Sequence, residues 1–326
     1  MNAFERQHIR DIALRNRNIS LTIDSAMKDI AHRFQTVKGK RFASIMDGRL
    51  KDLHDQLLSD SKAGIRNQWM LANKMNNKGL DGYLASVKIS DRLNQSFRSP
   101  NISALNAFMD RSDKGLNLSG RVWNITDGVK TEMNGLISSG VLQGKSAVKT
   151  AKELSRYVKG SPIRYKGKLI KGQNIDYRAI RLAATEANMA FRTADYLQNS
   201  KLPFVTGVTV ELSPAHPFPD ICDEMAGDYP KGFHFTGWHP NCICFVTHDT
   251  MPPKEFVDYI KTGEINQGRF TTRIPSRATR YLKKNGERIQ GYKNTPYWMK
   301  DNFTEDLALK EAVRVKGVKK QIAMVK

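Results

Sequence analysis

Apolar residues recur at three- and four-residue steps through the first third of the chain. Ile9, Ile12 and Ala13, then Ile23, Ala26, Met27, Ile30, Ala31 and Phe34, share one face of a helical repeat over residues 4–36. The Asn-rich, β-branched stretch Asn16–Thr22 is a candidate break within it, and Gly39 ends it. A second stripe follows over residues 42–75, with Ile45, Met46, Leu50, Leu53, Leu57, Leu58, Ile65, Trp69 and Met70. Stripes of this kind are packing faces between helices. Asn76 to Gly82, with glycines at 79 and 82, reads as a loop. Further turns are marked by Ser99-Pro100-Asn101 and Asp113-Lys114-Gly115.

The pattern predicts a helix over residues 119–137 and another after an N-cap at Ser146. Arg164–Ile170 forms either a tight hairpin around Gly167 or a mobile basic loop. The strongest helical segment is 174–198, where Ile180, Ala183, Ala184, Ala187, Ala190, Phe191 and Ala194 make a small-residue face. Residues 204–212 alternate as a strand. Downstream, Pro252 and Pro253 open a short helix that Gly263 closes, and Thr304 is a candidate cap for a last helix over 305–324.

Composition adds charge to this picture. The chain of 326 residues carries 53 basic and 32 acidic side chains, a net charge of +21. The excess is uneven: residues 201–250 reverse the sign, with two basic and six acidic residues. A polycation of this size favours a polyanionic partner, most simply nucleic acid. The densest run is Arg269, Arg273, Arg277, Arg280, Lys283, Lys284 and Arg288, largely at three- and four-residue steps, against the single acid Glu287. On a helix these cations would line one face, neutralise phosphates and bind without sequence preference. Pro275 and Gly286 favour an irregular arm as strongly as a helix, and Tyr281 and Tyr292 offer stacking on single strands. No apolar run reaches 18 residues, so no membrane-spanning helix is expected. The charged first ten residues do not suit a secretory signal.

The acidic segment is also where the soft ligands gather. Residues 213–250 hold all three cysteines and four of the seven histidines. Three cysteines, an odd number, point away from a disulfide framework and towards a reducing compartment. Cys222, His239, Cys242 and Cys244 make a Cys₃His set for a structural zinc, with His216 as a substitute ligand. Against this, alternate side chains of an extended chain point apart, so Cys242 and Cys244 could instead sit on opposite faces of a strand. A nuclease reading of His239, Asn241 and His248 fails on spacing, and no glycine-rich phosphate loop is present. Glu186 reads as a packing or hydrogen-bonding residue. An enzyme is not expected; the rival reading is a metal-dependent nuclease or other DNA-processing enzyme.

The run His239-Pro240-Asn241-Cys242-Ile243-Cys244, preceded by Asp220-Ile221-Cys222-Asp223, resembles the signature of the phage Mu F-like head-morphogenesis (minor head protein) family. The likeness takes in the helix around Arg181–Phe191 and the strand Val210–Ser213, and spans roughly residues 140–250. The chain has Cys222-Asp223-Glu224-Met225 where many members carry Cys-x-x-Cys, and Ala184 where they often have arginine.

Together these readings predict an α+β, mainly α protein. A helical region over residues 1–125 would dock on a portal or major capsid protein, a small α+β core with the Cys/His segment would span 126–250, and a basic extension 251–326. The resemblance implies a virion structural protein of a tailed bacteriophage, a minor capsid component made in the host cytoplasm. It would lie in the capsid interior or at the portal vertex and contact double-stranded DNA during packaging or ejection.

Overall fold

The computed structural model describes residues 1–326 except 38–39, 99, 114, 159–162, 166–167, 171–174, 215, 217–218 and 316–326. In chain order the elements are α1 (Ala3–Thr36), α2 (Lys40–Leu84), α3 (Asp91–Arg98), α4 (Ile102–Asp110), α5 (Leu118–Leu142) and α6 (Ala147–Val158). Then come β1 (Ile163–Tyr165), β2 (Lys168–Ile170), α7 (Ile175–Asn199), β3 (Val205–Glu211), α8 (Ile221–Met225), β4 (Gly227–Pro230) and β5 (Phe245–Thr250). The chain closes with α9 (Pro253–Thr262), α10 (Ser276–Gln290), α11 (Tyr297–Asn302) and α12 (Glu311–Val315). The architecture is α+β and mainly α, as the periodicity predicts. Among the described residues no helix is long and apolar enough to cross a membrane.

The chain forms two compact units, each assembled from separate stretches. One comprises residues 10–64 and 107–186; the other comprises 1–9, 65–106 and 187–326. The three consecutive blocks expected from sequence divide the chain differently. Long helices explain the difference, because α1, α2 and α7 each contribute residues to both units.

The helical unit is built on the predicted stripes. Ile19, Ile23 and Ile30 of α1, Met46, Leu50, Leu53 and Leu57 of α2, and Val122, Ile125, Met133 and Leu136 of α5 share one core with Leu154 and Ala183. The Asn-rich centre of α1 does not break the helix. Ile19 and Ile23 lie in that core, and burying each is worth about 1.5–3 kcal/mol, more than the propensity cost of the surrounding residues. Ser146 caps α6 as expected, its Oγ accepting from the Lys149 amide at 3.3 Å. β1 and β2 pair antiparallel, Tyr165 opposite Lys168; Gly167, the expected pivot, lies outside the described residues.

One polar cluster interrupts this apolar packing. Glu186, 1 % exposed, meets Arg111 Nη2 at 2.7 Å and Arg121 Nη1 at 2.6 Å. Packing and hydrogen bonding are therefore its observed role.

The second unit contains the only three-stranded sheet among the described residues, with β3 central between β4 and β5, both antiparallel to it. One core gathers Val208 and Val210 of β3, Cys222 and Met225 of α8, Tyr229, Phe233, Phe235, Trp238, Cys242 and Cys244. It also takes in Ala278, Leu282 and Ile289 of α10 with Trp298 and Met299 of α11. Residues after Thr250 are thus part of this core. The second core joins Leu80, Val87 and Phe97 to Phe204, Phe256 and Tyr259.

One expected loop is helical, and one segment left open between an arm and a helix is a helix. α2 continues through Asn76–Gly82 because Leu80 is buried in that second core, while Gly79 and Gly82 face open space. α10 is a single helix: Pro275 stands at its N-cap, where the missing amide proton costs nothing, and Gly286 packs tightly under Leu307. Of the helix expected over 305–324, the described residues form only α12; Thr304 closes a turn, its amide donating to the Ala308 carbonyl at 2.8 Å. Residues 316–324 lie outside the described residues.

Candidate functional site: a thiol knot beside a cationic helix

Local sequence delivers each ligand to one place. Asp220 caps α8, accepting from the Cys222 amide at 2.6 Å, while Asp223 Oδ2 accepts from the Asp220 amide at 2.7 Å. This reciprocal capping box fixes the first turn of a five-residue helix and aims Cys222 inward. On the other side, Asn241 adopts a left-handed φ of 60° within the His239–Cys242 turn. β5 starts only at Phe245. Cys242 and Cys244 therefore precede the strand, and the alternation that would send them to opposite faces does not apply.

The result is three buried, free thiols whose sulfurs all lie within 4.8 Å of one another. Cys222 Sγ and Cys242 Sγ are 3.9 Å apart. Two sulfurs bound to one tetrahedral ion at about 2.3 Å would be separated by about 3.8 Å. The trio is therefore a cluster at metal-binding distance. Hydrogen bonds from Cys222 and then Cys244, with help from the Arg192 guanidinium, hold the Cys242 thiol well below its ordinary pKa. Cys222 is pushed up by the same bonds to Cys242 and Cys244 and by burial. One thiolate is thus already favoured within the group.

His239 joins through Cys222, its Nε2 standing 3.2 Å from that sulfur and 3.2 Å from Asp220 Oδ2. Its Nδ1 lies 2.8 Å from the Pro240 carbonyl, which can only accept, so Nδ1 carries the proton. In the neutral ring the lone pair of Nε2 then faces a sulfur and a carboxylate oxygen. An imidazole nitrogen with a sulfur and a carboxylate oxygen each 3.2 Å away can serve a cation, and a backbone carbonyl fixing the far nitrogen is how ligating imidazoles are commonly oriented. His216 reaches the opposite side: its Nε2 is 3.0 Å from Asp223 Oδ2 and 3.7 Å from Asp220 Oδ1.

The main organiser of the loop is Arg192 of α7, 7 % exposed. It donates to the carbonyls of Thr236 (3.0 Å), Cys242 (2.6 Å) and Cys244 (2.8 Å), and its guanidinium lies 4.8 Å from the Phe235 ring centroid. Gly237, at φ 108°, lets the chain pass, since a Cβ there would collide with that guanidinium. Among the described residues no carboxylate lies within ion-pair distance of Arg192. A buried guanidinium without an acid needs negative charge nearby. One divalent ion, three thiolates and a neutral imidazole sum to −1, which Arg192 balances. Sequence reasoning missed this residue; its signal was a single arginine set among Ala190, Phe191 and Ala194 on a buried face.

The cationic run lies beside the knot. On α10, Ala278, Leu282, Gly286 and Ile289 face the core, while Arg277, Arg280, Lys283, Lys284 and Arg288 are exposed on the opposite side. At 100° per residue these five span an arc of about 140°. Arg277 Nη1 also donates to the Asp223 carbonyl at 3.0 Å, tying the helix to α8. Arg273 is exposed just before the helix. Arg269 departs from the expected set: it forms a two-pronged ion pair with Glu255, at 2.5 Å and 3.1 Å. Of the two tyrosines, Tyr281 packs partly into the core, whereas Tyr292 is exposed beside Arg288.

Compared with protein-family models, with curated proteins and with solved structures, the chain matches none.

Proposed function

We propose that this protein is a minor head, or head-morphogenesis, structural protein of a tailed bacteriophage. In this reading it sits at the portal vertex or capsid interior and binds double-stranded DNA without sequence specificity during packaging or ejection. The observation that carries it is the closure in space of the Cys/His signature. Cys222 and the Cys242–Cys244 pair, twenty residues apart, meet in one buried trio directly under a cationic helix. The metal is zinc, held by Cys222, Cys242 and Cys244 with His239 as fourth ligand, because three thiols and an imidazole form a soft set that this ion favours. Its role is structural: it pins loops that carry little regular structure. Zinc would supply no chemistry beyond that staple.

Arg273, Arg277, Arg280, Lys283, Lys284 and Arg288 supply the DNA contact. A helix whose exposed side is cationic and whose buried side is locked to a core presents charge without an ordering cost at binding. The helical unit supplies docking to the portal or capsid, with Leu14 and Leu21, exposed one heptad apart on α1, as its apolar points.

Retardation of plasmid DNA across a salt series tests the DNA contact. Wild-type protein should retard intact DNA at low salt in the presence of Mg²⁺, Mn²⁺ or Zn²⁺, with affinity falling steeply as salt rises. Reversing Arg280, Lys283 and Lys284 to glutamate should weaken binding at least tenfold and flatten the log–log salt slope by about 3. Absence of retardation at low salt refutes the reading, and cleavage that is lost in His239→Ala replaces it with a metal-dependent nuclease.

A further inference from the structure

Cys222 stands at the corner of two donor groups. One is the buried thiol trio. The other consists of His216, Asp220 and Cys222, whose ligand atoms also lie within 4.8 Å of one another. His239 belongs to neither group but stands beside the second, its Nε2 3.2 Å from Cys222 Sγ and 3.2 Å from Asp220 Oδ2. A tetrahedral ion takes four donors. Three sulfurs, two imidazoles and the Asp220 carboxylate exceed that number by two, before Asp223 is counted.

We propose that the site holds two divalent ions, bridged by the Cys222 thiolate; this rests on the metal staple argued above and extends it. The inner ion takes Cys222, Cys242 and Cys244. The outer ion takes Cys222, His216 and Asp220, with His239, which stands beside Cys222 and Asp220, available to either. The fourth outer position falls to Asp223, whose Oδ2 is 3.0 Å from His216 Nε2, or to water.

Distances support the second ion. Two nitrogen or oxygen ligands at about 2.0–2.1 Å from a tetrahedral zinc would lie about 3.3–3.4 Å apart, and a nitrogen and a sulfur about 3.6 Å. Within the outer set His216 Nε2 and Asp220 Oδ1 are 3.7 Å apart and all three ligand atoms lie within 4.8 Å of one another, while the neighbouring His239 Nε2 is 3.2 Å from both Asp220 Oδ2 and Cys222 Sγ. Charge agrees. Three thiolates and the Asp220 carboxylate carry −4, which two divalent ions neutralise, leaving Arg192 and Asp223 to offset each other. Local composition points the same way, since this segment is acidic within a strongly basic chain. Burial separates the roles: the thiol trio is closed, whereas Asp220 and His216 retain 28 % and 12 % side-chain exposure, so the outer ion is the exchangeable one.

Metal content and native mass spectrometry of the full-length protein, loaded with Zn²⁺ and gel-filtered, decide it. The expected result is two zinc ions per chain in wild type and one in both His216→Ala and Asp220→Asn, the latter keeping an N-cap side chain so that α8 survives. Co²⁺ titration gives a second readout. The first equivalent should bring sulfur-to-cobalt charge transfer, and the second should quench the paramagnetic signal of the first through the shared sulfur. One zinc in wild type, unchanged in both variants, overturns the second ion and leaves His216 as a hydrogen-bond donor to Asp223, with the staple intact. No zinc in wild type overturns the staple and this inference together.

Discussion

The two units solve the same problem with different materials. In the unit of residues 10–64 and 107–186, long helices bring apolar stripes together, and its core holds isoleucine, leucine and methionine. The core around the knot combines a short sheet, loops and small helices. There aromatic rings carry much of the burial, with Trp238 and Trp298 5.2 Å apart and nearly perpendicular. Apart from α10, the elements around the knot have four to seven residues and bury little surface each, so a cross-link joining distant loops would be worth more there than in a helical bundle. The comparison teaches that burial in this protein follows element length: aliphatic stripes suffice where helices are long, and aromatic rings take over where elements are short.

The sharpest way to break that contrast is to remove the proposed metal cross-link. Chelation, or Cys242→Ser, should destabilise the Cys/His unit by at least about 4 kcal/mol. That lies below the 10–16 kcal/mol of zinc-dependent finger folding because an aromatic core remains. Near-ultraviolet circular dichroism should lose the signals of Trp238 and Trp298, while the far-ultraviolet helical signal largely persists. Equal loss of both signals, or of neither, would erase the distinction between the units.

The next test moves to the helical unit. Glu186→Ala leaves Arg111 and Arg121 without their acid in a largely buried setting, at an expected cost of about 3–5 kcal/mol measured by urea unfolding. Leu53→Ala, an apolar truncation in the same core, should cost about 2–5 kcal/mol. If Glu186→Ala costs under about 1 kcal/mol, the unit is held by its stripes alone, and the contrast between the two units sharpens.

How far each unit could be read from sequence follows the same division. The stripes of α1, α2, α5 and α7 were legible because a period of 3.6 repeats over many turns and tolerates one unfavourable stretch. Boundaries were not: Gly79 and Gly82 look like a loop until Leu80 is seen to be buried. In the Cys/His unit, the gathering of thiols was legible from residue types. Their convergence was not, since it depends on the left-handed Asn241 and on carbonyls drawn to Arg192, fifty residues upstream of Cys242. The cations of α10 were visible as a periodic run, yet the pairing of Arg269 with Glu255 is tertiary and leaves no local trace. The partition into units escaped the linear reading altogether, because long helices carry one residue set into each.

The smallest predicted effect concerns a charge that the Cys/His unit buries without a thiol. Lys231 follows β4, is 2 % exposed and donates to the Leu202 carbonyl. Burial lowers its pKa to about 7, against about 10.4 in an unfolded chain. Between those values the unfolded state holds the proton more tightly than the native state, so stability rises with pH across this window, by at most ~1.4 kcal/mol per pH unit. Below about pH 7 both states are protonated and the contribution is flat, at its least favourable. Lys231→Met keeps the stem packed and removes the titration. Urea unfolding of both proteins at several values between pH 7 and 9 should therefore show wild type gaining on Lys231→Met as pH rises. Subtraction cancels the pH dependence of the Cys/His cluster, which the two proteins share. A flat difference would mean that the native protein keeps this ammonium charged, and that the aromatic core is a more polar medium than its residues suggest.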